Sequence, residues 1–474
     1  MAMPPTDAIV LENWIPYPDR LQMRMGVSDW TTGFAKTVYR IHTYSSPTGA
    51  ETLWATTDDG VFNATSSGAV GATVAALTNG KTSGAIISTG ASNYLTLVNG
   101  TDNAKQYDGT TWSSIATFTA ATNTLSYVET YRQRLYFIEK NSLNLHYLAA
   151  NAVSGADTSY NTGSVFRRGG YLVALGTWTI DGGTGPDDHL VMCTSMGELA
   201  VFVGADPSTW SYKGTYYIGR PLGTMPFFKY GGDLLYLCEQ GLFPLSKALL
   251  VASLDRTTAI SQKIQQTFAD AGSAYFSNFG WQITAMPDIP LILVNVPGSN
   301  IRYQYCMHPA TGSWTIFSGW EAQCFARAGS ALYMGVGTKT VKAGGSSDYG
   351  GNITATMFQA NTNLGYARSK KIQEIRPVFE ANGDFSYNIG VASDFQDIGQ
   401  TNPVSGASAG SAALWGTAQF GAALWSGSNN ITRAWRAVPD TYSTYKSLYL
   451  QVVSKSVTLS YLGCDMLSTQ GGSF

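Results

Sequence analysis

Two pairs of adjacent carboxylates, Asp58-Asp59 and Asp187-Asp188, are the side chains whose type best suits them to run a reaction. Two acids held about 5 to 9 Å apart hydrolyse glycosidic bonds, one as proton donor and the other as base or nucleophile. Both pairs abut strand-turn boundaries, however, and neighbours on a strand point to opposite faces, so the expected role is turn formation.

The four histidines, His42, His146, His189 and His308, show neither HExxH nor HxH spacing, which argues against a zinc hydrolase. His308 stands in a turn before Pro309 and His146 on an alternating strand; an exposed or hydrogen-bonded structural histidine is expected at both. No GxSxG elbow, GxxxxGK[ST] loop or strand-to-helix GxGxxG is present, which sets nucleotide and hydrolase-elbow chemistry aside. The five cysteines (Cys193, Cys238, Cys306, Cys324, Cys464) are scattered, odd in number and without a CxxC pair, so buried reduced thiols are expected and no metal or cofactor is called for. The turn Asp108-Gly109-Thr110-Thr111-Trp112 brushes the sialidase Asp box, Ser-x-Asp-x-Gly-x-Thr-Trp, but its Asp and Gly are adjacent and the leading Ser is missing. The later turns DPSTW and HPATGSW do not restore the pattern, and no motif places three arginines, so a sialidase is set aside.

Basic side chains cluster at Arg368, Lys370 and Lys371 with Arg376, and again at Arg167-Arg168. A solvated strand end is the ordinary interpretation; the alternative is a phosphate-facing contact, which strong salt dependence would betray. The whole chain carries 29 basic and 31 acidic side chains, a formal charge of −2, so no overall field invites nucleic acid or an anionic membrane.

The elements that would position these residues are strands. Charged residues make up only 13% of the 474, while 51 Gly, 27 Tyr and 12 Trp favour turns and sheets over long helices: an all-β protein. Two strand-length runs around a short polar turn recur in hairpins starting near 51, 91, 133, 188, 231, 290 and 330. Their spacing of about 40 to 60 residues is that of β-propeller blades. Trp112, Trp210 and Trp314 each close a similar turn and stand 98 and 104 residues apart, two blades each time, where a large aromatic would fill the wedge between neighbouring sheets. The expected architecture is a β-propeller of about six blades over 51–348; a pair of β-sandwiches is the rival for the same pattern.

The flanks break this rhythm. Residues 1–50, with NWIPYPDRLQMRMG, read as an N-terminal arm and first edge strands. Residues 349–474 read as an appended β-sandwich-like domain, with Ile372, Ile375, Val378, Phe385, Tyr387 and Ile389 answered by Leu448, Leu450, Val452, Val457 and Leu459. A Gly/Ser/Ala-rich loop at 403–430 holds AALWG and AALWS, whose Trp415 and Trp425 face either their own core or a neighbouring subunit. One helical insertion is expected near 247–271, where Ile260, Ile264 and Phe268 make an apolar stripe. The N-terminus has no signal-like apolar run and no window approaches the ~18 apolar residues of a membrane span, so synthesis in a cytoplasm is expected.

The opening VLENWIPYPDRLQMRMGVSDWTTGF, with LWATTDDGVFNAT and GGDLLYLCEQGLFPLSKAL, resembles the tail nozzle proteins of short-tailed bacteriophages. There an "N-W/F-x-P … R-x-G" phrase precedes a propeller, and the recognisable phrases here cover about the first 250 residues. The matching positions are Asn13, Trp14, Pro16, Arg20, Arg24, Gly26, Asp59, Gly60, Gly241 and Pro244. The resemblance implies a non-enzymatic virion protein, a homohexameric ring that extends and closes the DNA channel until ejection. Its partners would be copies of itself, adaptor and connector proteins, tail fibres or spikes, and passing DNA without sequence specificity. The phrase residues would be scaffold and not a catalytic set. The alternative is a propeller glycoside hydrolase or sugar-binding module of the sialidase or kelch kind.

Overall fold

Alternating runs such as Asp233–Cys238 (DLLYLC) and Arg134–Glu139 (RLYFIE) have too few polar positions to remain single strands in water, and each is the second strand of an antiparallel meander. The computed structural model describes residues 3–4, 7–90, 92–181, 186–249, 256–299, 301–396, 401–407 and 430–471. Two units divide the chain, one of residues 29–303 and 321–342, the other of 1–28, 304–320 and 343–474.

In the first unit, seven groups of strands follow one another, six as separate small sheets and the sixth in order, Gln282–Ala285 with Ile292–Val296, as the end of a nine-stranded sheet. They start with the strands Arg40–Ser45, Ser83–Ser88, Leu125–Tyr131, Leu172–Asp181, Phe227–Tyr230, Gln282–Ala285 and Cys324–Ala328. Each is continued by one of the seven hairpins legible in the sequence: Glu51–Thr57 in the first sheet, Asn93–Val98 in the second, Ala331–Val336 in the seventh. Neighbouring sheets touch in order, first to second through sixth to seventh, and the seventh touches the first. The unit is a β-propeller. The count is seven where the sequence led us to expect about six, because the first and fifth sheets have only three strands and use less chain than a full blade.

The seventh sheet is built from both ends of the unit, since Val27–Thr32 lies beside Lys339–Ala343. Thr31 N–H donates to the Thr340 hydroxyl at 3.0 Å. A ring sealed in this way closes on backbone hydrogen bonds between segments some 300 residues apart, and neither strand is left as an exposed edge. Aromatics fill the wedges between sheets at two of the three expected places, Trp112 and Trp210, whereas Trp314 lies on Ser313–Phe317, a strand of the second unit. Trp112, opening the last strand of the second sheet, packs on Trp54 of the first at 5.3 Å between ring centroids. Trp210, just before the last strand of the fourth, stacks on Tyr136 of the third at 5.6 Å. Asp108 heads the turn before Trp112, taking the N–H groups of Thr110 and Thr111 at 2.7 Å each, which holds its carboxyl down at about 2.

The second unit is a sandwich of two sheets. One runs, in spatial order, through Tyr303–His308, Ser313–Phe317, Ala8–Glu12, Ile353–Gln359, Lys446–Ser454, Phe385–Ser393 and Asn402–Ala407; the other through Trp14–Pro16, Leu21–Met23, Leu459–Gln470, Lys370–Ala381 and Asn430–Arg433. Between them lie Trp14, Ile372, Ile375, Phe379, Phe385, Tyr387, Ile389, Leu448, Leu450, Val452 and Leu459, all buried. Phe379 takes the place expected for Val378, because bulges at Ile372/Glu374 and Val378/Phe379 reset the alternation of that strand. The N-terminal residues are no arm: Ala8–Glu12, Trp14–Pro16 and Leu21–Met23 are integral strands, since Trp14 and Ile15 are fully buried.

The helical stripe is shorter than expected. The α-helix covers Gln265–Ala274, with Phe268 buried against Trp281, whereas Ile260 and Ile264 lie in a turn and a short 3-10 segment. Ser261 explains the break: its fully buried hydroxyl accepts Leu242 N–H at 3.0 Å and so ties the turn to the fifth sheet. No helix among the described residues is long and apolar enough to cross a membrane.

Candidate functional site

The N-terminal phrase builds a buried polar joint inside the sandwich unit. Asn13 has φ +59°, a left-handed conformation that asparagine tolerates better than most residues, and this turns its side chain inward between two strands. Its amide nitrogen donates to the Thr354 carbonyl (2.8 Å) and the Ser318 hydroxyl (3.1 Å), and its amide oxygen accepts from Arg24 Nε (2.7 Å) and Ser318 N–H (3.0 Å). Arg24, 2% exposed, then spreads over Asp348 with Nη1 on Oδ1 (2.9 Å) and Nη2 on Oδ2 (2.6 Å), over the Ser318 carbonyl (2.6 Å), and above the Trp320 ring (5.6 Å). A guanidinium can be buried here because a forked carboxylate matches its geometry and its Nε has a separate acceptor. Trp14 and Pro16 line the adjacent core strand, while Arg20 stays at the surface beside Asp19 and takes no part.

The other phrase residues sit in two matching hairpins of the propeller. Gly60 pairs with Thr57 and Gly241 with Cys238, each closing a two-residue turn at the same place in the first and fifth sheets. Both have positive φ, +153° and +134°, and a Cβ would collide with Thr73 in one case and the Ser261 hydroxyl in the other, so only glycine fits. Asp59 accepts the Thr57 hydroxyl within its turn, and Pro244 is buried at the end of the strand that Gly241 opens.

The acid pairs resolve into structural contacts. Asp58 accepts Gly80 N–H at 2.9 Å, and Asp188 accepts the Thr179 hydroxyl at 2.8 Å, while the side chain of Asp187 lies outside the described residues. His146 meets Asp157 at 2.7 Å, as a structural histidine should. His308 departs from expectation: it is buried edge-on to Tyr17 at 5.4 Å with neither ring nitrogen partnered, and burial lowers its basicity. All five cysteines are free; four are buried, and desolvation pushes Cys193 and Cys238 up to about 12. No group of three metal-ligating side chains occurs among the described residues.

The basic cluster does not act as one surface. Lys370 is fully buried, its ammonium held by the carbonyls of Asn363, Tyr366 and Thr444 (2.5, 3.0 and 2.9 Å), so it cannot face a phosphate. Arg376 is drawn to Asp465 (2.8 Å) and lies over Trp435 (5.0 Å), which leaves exposed Arg368 and half-buried Lys371. Trp415 and Trp425 lie outside the described residues.

What the sequence did not single out is the ring's axis, lined by the first strands of the sheets. His42 is buried against the Thr82 hydroxyl (2.7 Å), and burial beside the Arg40 charge depresses it to about 3. Glu129, on the first strand of the third sheet, is pushed up to about 7 by desolvation, which the Lys229 charge only partly offsets. Residues on separate sheets meet at the axis only once the ring has closed, so no spacing could reveal them.

No protein-family model matches the chain, and no curated protein matches it. Among solved structures it is similar to PorZ, a surface component of the type-IX secretion system of Porphyromonas gingivalis, at 13% identity and TM-score 0.37 over 66% of this chain; it spans only 37% of PorZ. It is also similar to BBS1N, solved in complex with ARL6DN (10% identity, TM-score 0.42, 68% of this chain and 98% of that one). A third is the SapL1 lectin, solved with alpha methyl fucoside (14% identity, TM-score 0.32, 59% of this chain and 96% of that one). These likenesses concern fold alone.

Proposed function

We propose that this chain is a structural component of the tail of a short-tailed bacteriophage, one subunit of a homohexameric nozzle ring that extends and closes the DNA channel and opens for ejection. The observation that supports this reading is the joint itself: Asn13, Arg24 and Gly26, three positions of the nozzle phrase, all act as scaffold, tying strands together around Asp348 and Ser318. A stiff ring with a formal charge of −2 suits a conduit, because a wall that bound phosphate strongly would hold the DNA it must release. Adaptor proteins above and fibres or spikes around it would be its partners. Native mass measurement of the purified chain, alone and with an adaptor ring, tests this. A hexamer, or a monomer that assembles only on the adaptor, is the expected result; a monomer that never assembles would remove the reading.

Glu129 favours a second reading, a propeller glycoside hydrolase or sugar-binding module. A carboxyl group still protonated near neutrality is suited to act as a general acid. Glycan-array binding or glycoside turnover that disappears in Glu129→Gln would support it; an inert wild-type chain would dismiss it.

A further inference from the structure

Between Phe166 and Leu172, both buried, the chain crosses one end of the fourth sheet, and its backbone is pinned on either side of two glycines. Glu198, 4% exposed, accepts Arg167 N–H at 3.1 Å and Arg168 N–H at 2.8 Å. Tyr171 N–H donates to the Ser195 hydroxyl at 3.2 Å, and the Tyr171 carbonyl accepts Ser195 N–H at 2.8 Å. Gly169 and Gly170 have φ +72° and +85°, and a Cβ on Gly170 would stand 2.5 Å from Ser195 Oγ, so glycine is required there. The loop is held in one conformation.

That backbone presents two guanidiniums with no acid of their own. Arg167 and Arg168 are exposed, and among the described residues neither side chain has a hydrogen bond or an ion pair. The Arg168 guanidinium lies over the Tyr217 ring, 3.6 Å from its centroid, a contact that fixes its position and leaves its N–H groups to water. Glu198 is engaged by the backbone behind them. Arg220 differs: it follows Gly219, which packs on Gly197, and its Nε is taken by Glu239 at 2.9 Å. Three large side chains beside the two arginines are exposed, Tyr171 and Met196 at 41% and Tyr217 at 40%. They are contiguous. Met196 follows Ser195, which is bonded to Tyr171, and Met196 Cγ lies 2.9 Å from the place of a Gly170 Cβ; Tyr217 pairs with Glu198 across the third and fourth strands.

We propose that this end of the fourth sheet is a docking surface for an acidic segment of another protein, whose carboxylates meet Arg167 and Arg168 while an apolar side chain rests on Tyr171 and Met196. Charge complementarity selects the partner, because the patch carries two unpaired cations and its one carboxylate, Glu198, is buried and occupied. A carboxylate matches a guanidinium edge with two hydrogen bonds, and Arg, Tyr and Met are residues that protein interfaces gather. Nucleic acid fits less well: its phosphates recur about every 3.4 Å along a strand and favour a continuous basic track, whereas the neighbouring Arg220 is already paired and the whole chain is at −2. The inference rests on this loop alone and needs neither the nozzle nor the glycosidase reading.

Fluorescence anisotropy of the full chain with a dye-labelled peptide, in which glutamates are spaced by leucine and glycine, tests it. The same labelled peptide with lysine for glutamate, and a labelled oligothymidylate, form the other arms. The glutamate peptide is expected to bind, more weakly as salt rises, and the other two to remain free. Arg168→Gln should weaken that binding about tenfold, and Tyr217→Ala should weaken it several-fold with both charges kept, because the ring that holds the guanidinium is gone. Arg167→Gln reads the neighbouring charge where Arg168→Gln melts early. Arg368→Gln, exposed in the other unit, is the control and should bind as wild type does. No saturable binding of the glutamate peptide, undiminished binding in Arg168→Gln and Arg167→Gln, or tighter binding of the oligothymidylate would overturn the proposal; the last result would assign the loop to single-stranded nucleic acid.

Discussion

Arg24 and Asp348 are separated by 324 residues in sequence, yet they form a two-pronged ion pair with both contacts under 3 Å, and the guanidinium is almost wholly buried. Such a pair stabilises chiefly by the penalty of breaking it. Asp348→Ala leaves the Arg24 charge in the interior without its partner and is expected to cost about 3–5 kcal/mol. The double variant Arg24→Met with Asp348→Leu removes both charges and should recover most of that loss. Urea midpoints of the three proteins decide the matter; a single variant as stable as the double would show that the pair contributes no more than its packing.

Gly26 makes the second demand at this joint. A Cβ there would overlap the backbone carbonyl of Ser347, and Gly26 N–H also donates to the Gly345 carbonyl at 3.0 Å, so the segment has nowhere to retreat. Gly26→Ala should therefore lower the melting temperature by several degrees, the size expected of about 1–3 kcal/mol of overpacking. Gly232→Ala, whose Cβ meets nothing within 4 Å, is the control and should leave it within a degree.

The seven hairpins were legible because strand-length apolar runs around a short polar turn are local information, and the interval between Trp112 and Trp210 marked two blades for the same reason. Ring closure was not legible. Val27–Thr32 looks like part of an arm until Lys339–Ala343 is beside it. Lys370 was misjudged because a sequence displays charge but not burial, and three carbonyls gathered from residues 363, 366 and 444 hold its ammonium inside the protein, away from the surface of what reads as a basic patch. The phrase residues Asn13 and Arg24 were flagged through a resemblance alone; that they share one hydrogen bond follows only from the fold.

Trp210 tests whether the wedge aromatics hold neighbouring sheets together. Its indole is half-buried and reaches Tyr136, Phe202 and Tyr160 with centroids 5.6, 5.2 and 5.3 Å away, so one side chain joins the third and fourth sheets. Trp210→Ala should destabilise the propeller by about 2–3 kcal/mol, less than a fully buried indole, and Trp210→Phe by clearly less. Trp435→Ala, at an exposed position over Arg376, should shift stability by under about 1 kcal/mol in the same chemical-denaturation assay.

Glu129 makes stability depend on pH in the direction opposite to most carboxylates. Its folded value is about 7 against an ordinary 4.5, so between those limits the folded chain keeps a proton that the unfolded chain has released. Stability from this group is therefore complete below about pH 4.5 and is lost as pH rises through 7. His42 acts the other way: depressed to about 3, it withdraws stability as pH falls below its unfolded value near 6.5. Comparing Glu129→Gln with wild type cancels the histidine, which both proteins share. The variant should melt several degrees higher than wild type at pH 8 and within a degree of it at pH 5. A gain of the same size at both values would mean that the glutamine improves packing, and that the carboxyl group at the ring's axis carries no proton near neutrality.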